Sequence, residues 1–574
     1  MKRALVSIAG ALASAALLAL YARAEGGWFV LGFVALVPWL LALGRARSML
    51  EALGAAVAMS VAFAVAVFGW LPGAIERYAQ ATPAWPWFLV VVSAPLLEPQ
   101  FLSFALVRHL AGGGQASGPR VRLRAVLLAS AAYVGTELVA NKLLFDTLGL
   151  GLYPSRYLRQ GADLLGVHGL TLMLLLANES VVAAWGGWTK KRSVVAAFRP
   201  AALMAGLIAA DAGYGWMRCA QFAARGDAST PATVVGVVQA NVTNYAKLRA
   251  ERGAFGAVRS ILDEHYALSD ELRARSNPDV IVWPETVYPT TFGAPKSEAG
   301  AAFDAEILAF AGSRGVPLVF GAYDARDGRE YNAAFFVNAT PDAHPQVTAY
   351  RKSLLFPFTE RLPSWLDSTW MRERLPWAGH WQSGPGPEVV QMNLREGKRL
   401  SVVPLICYDA LSPRFVAEAA DRGADLIVTL SNDSWFPDAR APRLHLISAA
   451  FRSIETRLPQ VRATNSGISG MISPTGDLLA AAGWDERRTV AARVPLAQRV
   501  RTPAVVVAPW LGPVLLSAAL LALLKELSGH RRVREVLRAA IDRRRKPGQA
   551  QNTQHGTRAR RSGERGARAR SRAK

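Results

Sequence analysis

The chain predicts a multi-pass α-helical membrane domain of about eight spans joined to an α/β domain with a layered sheet core. Three observations carry that expectation. Hydrophobic residues make up 51% of the sequence and charged residues only 19%, a balance that suits a bilayer better than water. Up to about residue 220, apolar runs of spanning length alternate with short charged breaks. Near Pro231 the pattern changes to short β-branched or aromatic runs interleaved with helical stretches, which marks an α/β domain.

In chain order, spans are expected at residues 4–21, 27–43, 52–70, 87–107, 125–145, 164–186 and 200–217, each near the roughly twenty apolar residues that cross a bilayer. They make up a membrane domain over residues 1–220. Lys2/Arg3, Arg45/Arg47, Arg108/Arg120/Arg122/Arg124 and Lys190/Lys191/Arg192/Arg199 fall on one side, the cytoplasmic one by the positive-inside rule. Seven spans then put the following domain outside, and an eighth at residues 502–524 returns the tail to the cytoplasm. Ala22-Arg23-Ala24 also fits a signal-peptidase site. Retention of the first span is expected, because the next span follows with hardly any chain between. Glu98 and Glu137 are the intramembrane carboxylates with the best case for a function. Glu179 and Asp211 are expected at span ends.

The formal net charge is +23, and 17 basic against 4 acidic residues from Lys525 to Lys574 supply +13 of it. Residues 525–574 therefore read as a basic, largely disordered cytoplasmic tail that touches anionic lipid. No nucleic-acid-binding fold accompanies that charge. With only Cys219 and Cys407 present, a disulfide framework is excluded. The eight scattered histidines include no HExxH or Cys/His cluster, so neither a metal nor another cofactor is expected.

The domain is expected over residues 231–496, with strands at 233–238, 279–283, 317–321, 331–337, 347–350, 400–406 and 425–430 and helices at 250–275, 301–313 and 412–422. Three polar residues stand at or just beyond strand ends. Glu285 follows Val280-Ile281-Val282-Trp283-Pro284, Lys352 follows Tyr350-Arg351, and Cys407 follows Val402-Val403-Pro404-Leu405-Ile406. Singly they read as a solvated carboxylate, a surface lysine and a core thiol. Together they form a workable catalytic set. A carboxylate can take the thiol proton, and an ammonium can favour the thiolate and an oxyanion. The chemistry suggested is acyl transfer through a thioester.

Trp283-Pro284-Glu285, Tyr350-x-Lys352, Pro357-Phe358-x-Glu360 and Ile406-Cys407-Tyr408-Asp409 resemble the Glu-Lys-Cys motifs of the nitrilase (carbon–nitrogen hydrolase) superfamily. Ser431-Asn432-Asp433-Ser434-Trp435-Phe436 and the HLxxAxxRxxExRxPxxRxTNxGxS pattern from His445 to Ser469 extend the match. With seven spans before this domain and one after, residues 1–525 resemble the bacterial apolipoprotein N-acyltransferase family, and residues 160–178 are similar to its membrane signature.

That resemblance implies a nitrilase-like α-β-β-α sandwich. It implies Cys407 as nucleophile, Glu285 as general base, and Lys352 with the Tyr408 backbone N–H as stabilisers of the tetrahedral intermediate. Glu360 would orient Lys352 or assist proton transfer, and Tyr408 and Asp409 would wall the nucleophile. The implied partners are a phospholipid acyl donor, a diacylglyceryl-apolipoprotein acceptor and the bilayer, with no nucleic acid, and the chain is expected to act as a monomer. The implied location is the bacterial inner membrane, with the domain on the periplasmic side. The chain departs from the family at Asp409 (a glutamate there), Leu248 (tryptophan), Thr359 (glycine) and Leu354 (histidine). A membrane-tethered amidase hydrolysing a C–N bond is the alternative; eight spans favour lipid substrates. Phe356, Phe358, Trp365, Trp370, Trp377 and Trp381 are expected to form an arm dipping into the outer leaflet.

Overall fold

The computed structural model describes residues 2–79, 82, 84–112, 118–140, 142–144, 146–190, 193–225, 231–243, 245–338, 345–496 and 499–529. The basic tail beyond Gly529 lies outside the described residues. Met1–Ala518 forms one compact unit that contains both sheets and the helices before them, and Ala519–Lys574, with the second half of the last helix, is another.

The membrane region runs α1 (Lys2–Tyr21), a 3-10 stretch (Gly26–Phe33), α2 (Val37–Leu43), α3 (Met49–Val67), α4 (Leu71–Ala79), α5 (Ala84–Leu97), α6 (Pro99–Leu110), α7 (Pro119–Val139), α8 (Ala162–Thr189) and α9 (Val194–Arg225). Among the described residues six helical segments are long and apolar enough to cross a bilayer, or seven if the bent pair α5–α6 is one span. The remaining expected span, α7, ends at Val139 and carries Arg120, Arg122, Arg124 and Glu137. Three expected spans are not plain helices. The second is mostly 3-10 in its first half. The fourth bends by 44° at Glu98, where Pro99 cannot donate to the preceding turn. In α8, Gly166 at φ 70° interrupts the helix, and the freed N–H of Val167 donates to Glu455 at 2.8 Å.

Glu179 and Asp211 correct the expectation of span-end carboxylates, since both lie within helices. Glu179 is buried and accepts from Arg108 Nε at 2.5 Å, a pairing that satisfies both charges away from water. Glu98 and Glu137 are likewise buried, and both face the ammonium of Lys142.

The α/β part begins with β1 (Ala232–Gln239), α10 (Tyr245–Ser276), β2 (Val280–Val282), β3 (Tyr288–Thr291) and α11 (Glu298–Arg314). It continues through β4 (Leu318–Arg326), β5 (Arg329–Asn338), β6 (Gln346–Arg351), α12 (Thr369–Arg374), β7 (Val390–Asn393) and β8 (Arg399–Ile406). The remainder is α13 (Pro413–Asp421), β9 (Leu426–Ser431), α14 (Arg440–Thr456), β10 (Gln460–Thr464), β11 (Ser469–Ile472), β12 (Leu478–Ala482), β13 (Arg488–Pro495) and α15 (Pro503–Gly529). One sheet has the order β13-β1-β2-β4-β5-β6, with β3 beside β4, and the other β12-β11-β10-β9-β8-β7. β1, β2 and β4 run parallel, as do β8, β9 and β10.

Alternate side chains explain the layers. Val402 and Ile406 of β8 join Val235, Val282 and Val319 of the first sheet in a core between the sheets. Val403 and Leu405 point the other way, to Phe415 and Val416 of α13. On the far side Ile281 and Phe320 pack on Leu262 and Ile307 of α10 and α11. A strand covered on both faces reads as a continuous apolar run, as β8 does. The result is the expected α-β-β-α sandwich. The seven expected strands are present, whereas β3, β7, β10–β13, α12 and α14 were not expected.

The sandwich is locked to the helices by buried charge. Arg457, at φ 56°, donates to Asp163 at 2.7 and 3.0 Å and to Gln160 at 2.6 Å. Arg159 donates to the carbonyl of Thr475 at 3.0 Å.

Candidate active site

The three expected residues come from strand ends on both sheets: Lys352 and Glu285 are in contact, and both act electrostatically on the Cys407 thiol. At the end of β2, Pro284 ends the ladder and the chain turns at Glu285-Thr286, with Thr286 at φ 57°. Gly321 on β4 permits that turn, because a Cβ there would collide with the backbone of Glu285 and Thr286. β6 is extended by one bond, from Lys352 N–H to the Asn332 carbonyl at 2.8 Å, and the Lys352 side chain is buried.

Lys352 Nζ donates to Glu360 at 2.7 Å and to Glu285 at 3.4 Å. The amide of Asn332, on β5, donates to the same Glu285 oxygen at 2.7 Å and lies 3.4 Å from Glu360. The other Glu360 oxygen accepts the Phe356 N–H at 2.7 Å. One ammonium thus sits between two carboxylates, and one amide holds both in register.

Cys407 closes β8 at φ 49°, a conformation that costs a β-substituted residue on the order of 1–3 kcal/mol. The chain passes directly into a 3-10 turn, Cys407–Leu411. Asp409 holds that turn: it accepts from Leu354 N–H at 2.7 Å, Tyr350 hydroxyl at 2.8 Å and Ile406 N–H at 3.1 Å. Behind the nucleophile, the His445 ring spans Asp433 at 3.2 Å and the Cys407 carbonyl at 3.3 Å. Asp433 also accepts from Ser431 at 2.9 Å and Arg462 at 3.0 Å. Tyr408 packs edge-on against Phe356 at 5.1 Å, and Phe356 meets Trp435 at 5.8 Å.

All six expected residues are therefore present in one place. Asn332 was missed, although a polar residue inside the apolar run of β5 was a usable signal. The Asp433–His445–Arg462 support is visible in the sequence only as parts of a motif. Leu248 packs against the core on the α10–α11 side.

Burial pushes the Cys407 thiol above its ordinary range, Glu285 adds to that, and Lys352 opposes it. The resting sulfur is a neutral thiol that requires a base. Burial works against the Lys352 ammonium, but Glu285 and Glu360 outweigh it and hold lysine well above its usual value. Burial raises Glu285, with Lys352 opposing. Asp409 is pushed up to about 6 by burial, in part offset by the Leu354 N–H. Asp433 is held down to about 2, because His445 and Arg462 overcome the effect of burial.

These directions set a pH dependence. A base must be ionised, so acylation should rise with pH along a limb centred above the ordinary glutamate value of 4.5. With Lys352 held above 10.5, no fall from its deprotonation should precede that pH. Rapid-mixing measurement of kcat/KM against pH checks both, and a limb at or below 4.5 contradicts the role of Glu285.

The aromatic stretch between β6 and β7 is rooted on α4. The Tyr78 hydroxyl donates to the Thr359 carbonyl at 3.1 Å, and its ring meets Trp377 edge-on at 5.9 Å. Trp381 lies 4.4 Å from the Tyr323 ring, whereas Trp365 is 81% and Trp370 58% exposed.

Comparison with known proteins adds two domain matches. The carbon-nitrogen hydrolase family matches residues 209–504, and the apolipoprotein N-acyltransferase N-terminal domain matches residues 14–179. Among curated relatives, an apolipoprotein N-acyltransferase of Bdellovibrio bacteriovorus is 34% identical over 332 residues. That match covers 55% of this chain and 57% of the relative, little more than half of either. The apolipoprotein N-acyltransferase of Sinorhizobium medicae is 28% identical, covering 82% of this chain and 87% of its own. That of Geobacter metallireducens is 25% identical, covering 78% and 82%.

Proposed function

From a chain that belongs to the carbon–nitrogen hydrolase family, we propose that Glu285, Lys352 and Cys407 carry out apolipoprotein N-acylation in a multi-pass membrane protein. An acyl chain passes from a phospholipid to Cys407, and from there to the α-amino group of a diacylglyceryl-cysteine at a lipoprotein's amino terminus. Glu285 takes the thiol proton as sulfur attacks the ester carbonyl. Lys352 and the Tyr408 N–H stabilise the resulting oxyanion. Collapse expels the lysophospholipid alkoxide, which recovers the proton from Glu285. In the second half, the amine attacks the thioester, Glu285 takes its proton, and the thiol leaves reprotonated.

The observation that carries this reading is the buried ammonium held between Glu285 and Glu360, close enough to Cys407 for the two to act on each other electrostatically, within one compact unit with membrane-crossing helices. One chain holds the whole catalytic set, so a monomer suffices. Alternating basic segments support an inner-membrane topology with the sandwich on the periplasmic side and the tail in the cytoplasm. The test is reconstitution with phospholipid and a diacylglyceryl peptide. Triacylated peptide with matching lysophospholipid is expected; release of free fatty acid as the sole acyl product would reject transfer in favour of hydrolysis.

The exposed tip of the aromatic stretch fits the outer leaflet, where indole rings settle at headgroup depth. Trp365→Ser with Trp370→Ser should slow acyl-enzyme formation from membrane phospholipid by about tenfold (RT ln 10 being about 1.4 kcal/mol) while leaving the thermal midpoint unchanged. An unchanged rate in membranes would reject the arm's lipid contact.

A further inference from the structure

One contact of the nucleophile turn leaves the sandwich altogether. The Tyr408 hydroxyl donates to the carbonyl of Leu143 at 2.8 Å and lies 3.3 Å from that of Lys142. Both belong to the segment that follows α7. Lys142 itself is buried, 3% exposed. Its ammonium lies 2.9 Å from Asp146, 3.1 Å from Glu98 and 4.0 Å from Glu137, and donates to the Asp146 carbonyl at 3.2 Å. Glu98 stands at the bend between α5 and α6, Glu137 near the end of α7, and Thr147 donates to Glu137 at 2.8 Å.

One cation therefore ties three membrane elements to the two carbonyls that receive Tyr408. A buried cation is costly to desolvate, and its attraction repays that only in good geometry. Here the geometry also has a direction, because it orients the 142–143 backbone towards the residue next to Cys407. The Tyr408 ring is braced by Phe356, and the hydroxyl contact restrains its tip.

We propose that Lys142 is a positioning residue for acyl transfer: it fixes the carbonyls that anchor Tyr408 and so aims the peptide N–H that follows Cys407. The inference rests on the acyltransferase reading and deepens it. It predicts a coupling between a membrane-domain lysine and a tyrosine 266 positions away that simple charge neutralisation would not produce.

The test uses the full chain in vesicles of phosphatidylethanolamine and phosphatidylglycerol, with single-turnover acylation of Cys407 followed by mass spectrometry. Lys142→Met and Tyr408→Phe should each slow acylation by about tenfold, with KM for phospholipid unchanged, and the double variant should also be slower by about tenfold. A double variant slowed by the product of the two, about a hundredfold, would overturn the coupling. So would a Lys142→Met chain that acylates at the wild-type rate. If Lys142→Met does not accumulate, Lys142→Arg keeps the charge but shifts the backbone it pins. A rate loss that disappears in the Tyr408→Phe background supports the proposal, and an equal loss in both backgrounds overturns it. A wild-type chain that never carries an acyl group on Cys407 defeats the acyltransferase reading itself, and this inference with it.

Discussion

Cys407→Ala should leave a folded chain that forms no acyl-enzyme and transfers acyl groups more slowly by on the order of 10⁴-fold or more, the scale of loss when a covalent nucleophile is removed. The variant should still bind both substrates but offers no atom to carry the acyl group between them. Folding should survive, because alanine fits the same space, and the turn is held by Asp409 rather than by sulfur. In cells with no other such enzyme, mass spectrometry should find lipoprotein amino termini lacking one acyl chain. Triacylated termini would remove Cys407 from the mechanism. Cys407→Ser is the companion variant: it keeps an attacking atom in place, yet a hydroxyl is far harder for Glu285 to deprotonate.

Lys352→Met should cost both stability and rate. Methionine nearly matches the volume of the lysine stem but leaves Glu285 and Glu360 facing each other without their shared cation. Breaking a buried pair by removing one partner costs about 3–5 kcal/mol, although proton uptake by one carboxylate recovers part of this. Loss of the charge beside the oxyanion should slow acylation by a further 10²- to 10³-fold, the range for one such stabiliser. The variant also carries a signature that misfolding would not give. With Lys352 no longer opposing burial, Glu285 should titrate higher, and the acid limb of kcat/KM should move up in pH. Acylation within a few-fold of wild type, with an unmoved limb, would show that Lys352 is merely structural.

The sandwich and the positions of Glu285 and Cys407 were legible because β2 and β8, strands of the parallel cores, are local apolar runs that give way to a residue of different character, whereas Lys352 follows the antiparallel end strand β6. β8 and Cys407 show this best. Elements with weaker local signals were missed. β12, Leu-Leu-Ala-Ala-Ala, is poor in β-branched residues, and β10 and β11 lie inside a stretch that reads first as a motif. Residues that act only through distant partners were missed for a different reason. Asn332 stands out as a polar residue in the apolar run of β5, but its partner Glu285 lies 47 positions away and no local pattern names it. Glu179 was misread because α8 has 28 residues, longer than a bilayer needs, so a carboxylate well inside it falls where a shorter span would end. The bend at Glu98 was foreshadowed by Pro99, but its bonding to Lys142 was not.

The Arg457–Asp163 pair has a consequence for how the protein is made. Asp163 lies at the start of α8, which leaves the ribosome and enters the bilayer before any strand of the sandwich exists. Arg457, at the end of α14, arrives almost three hundred residues later and is fully enclosed only when that helix is waiting for it. An excised sandwich would present the guanidinium to water in place of its anion, losing the pair without being left with a buried unpaired charge. Because α14 also supplies His445, which touches the Cys407 carbonyl, the turn that carries Cys407 is finished on a membrane template. Biogenesis thus confines the Cys407 turn to a chain already seated in the bilayer.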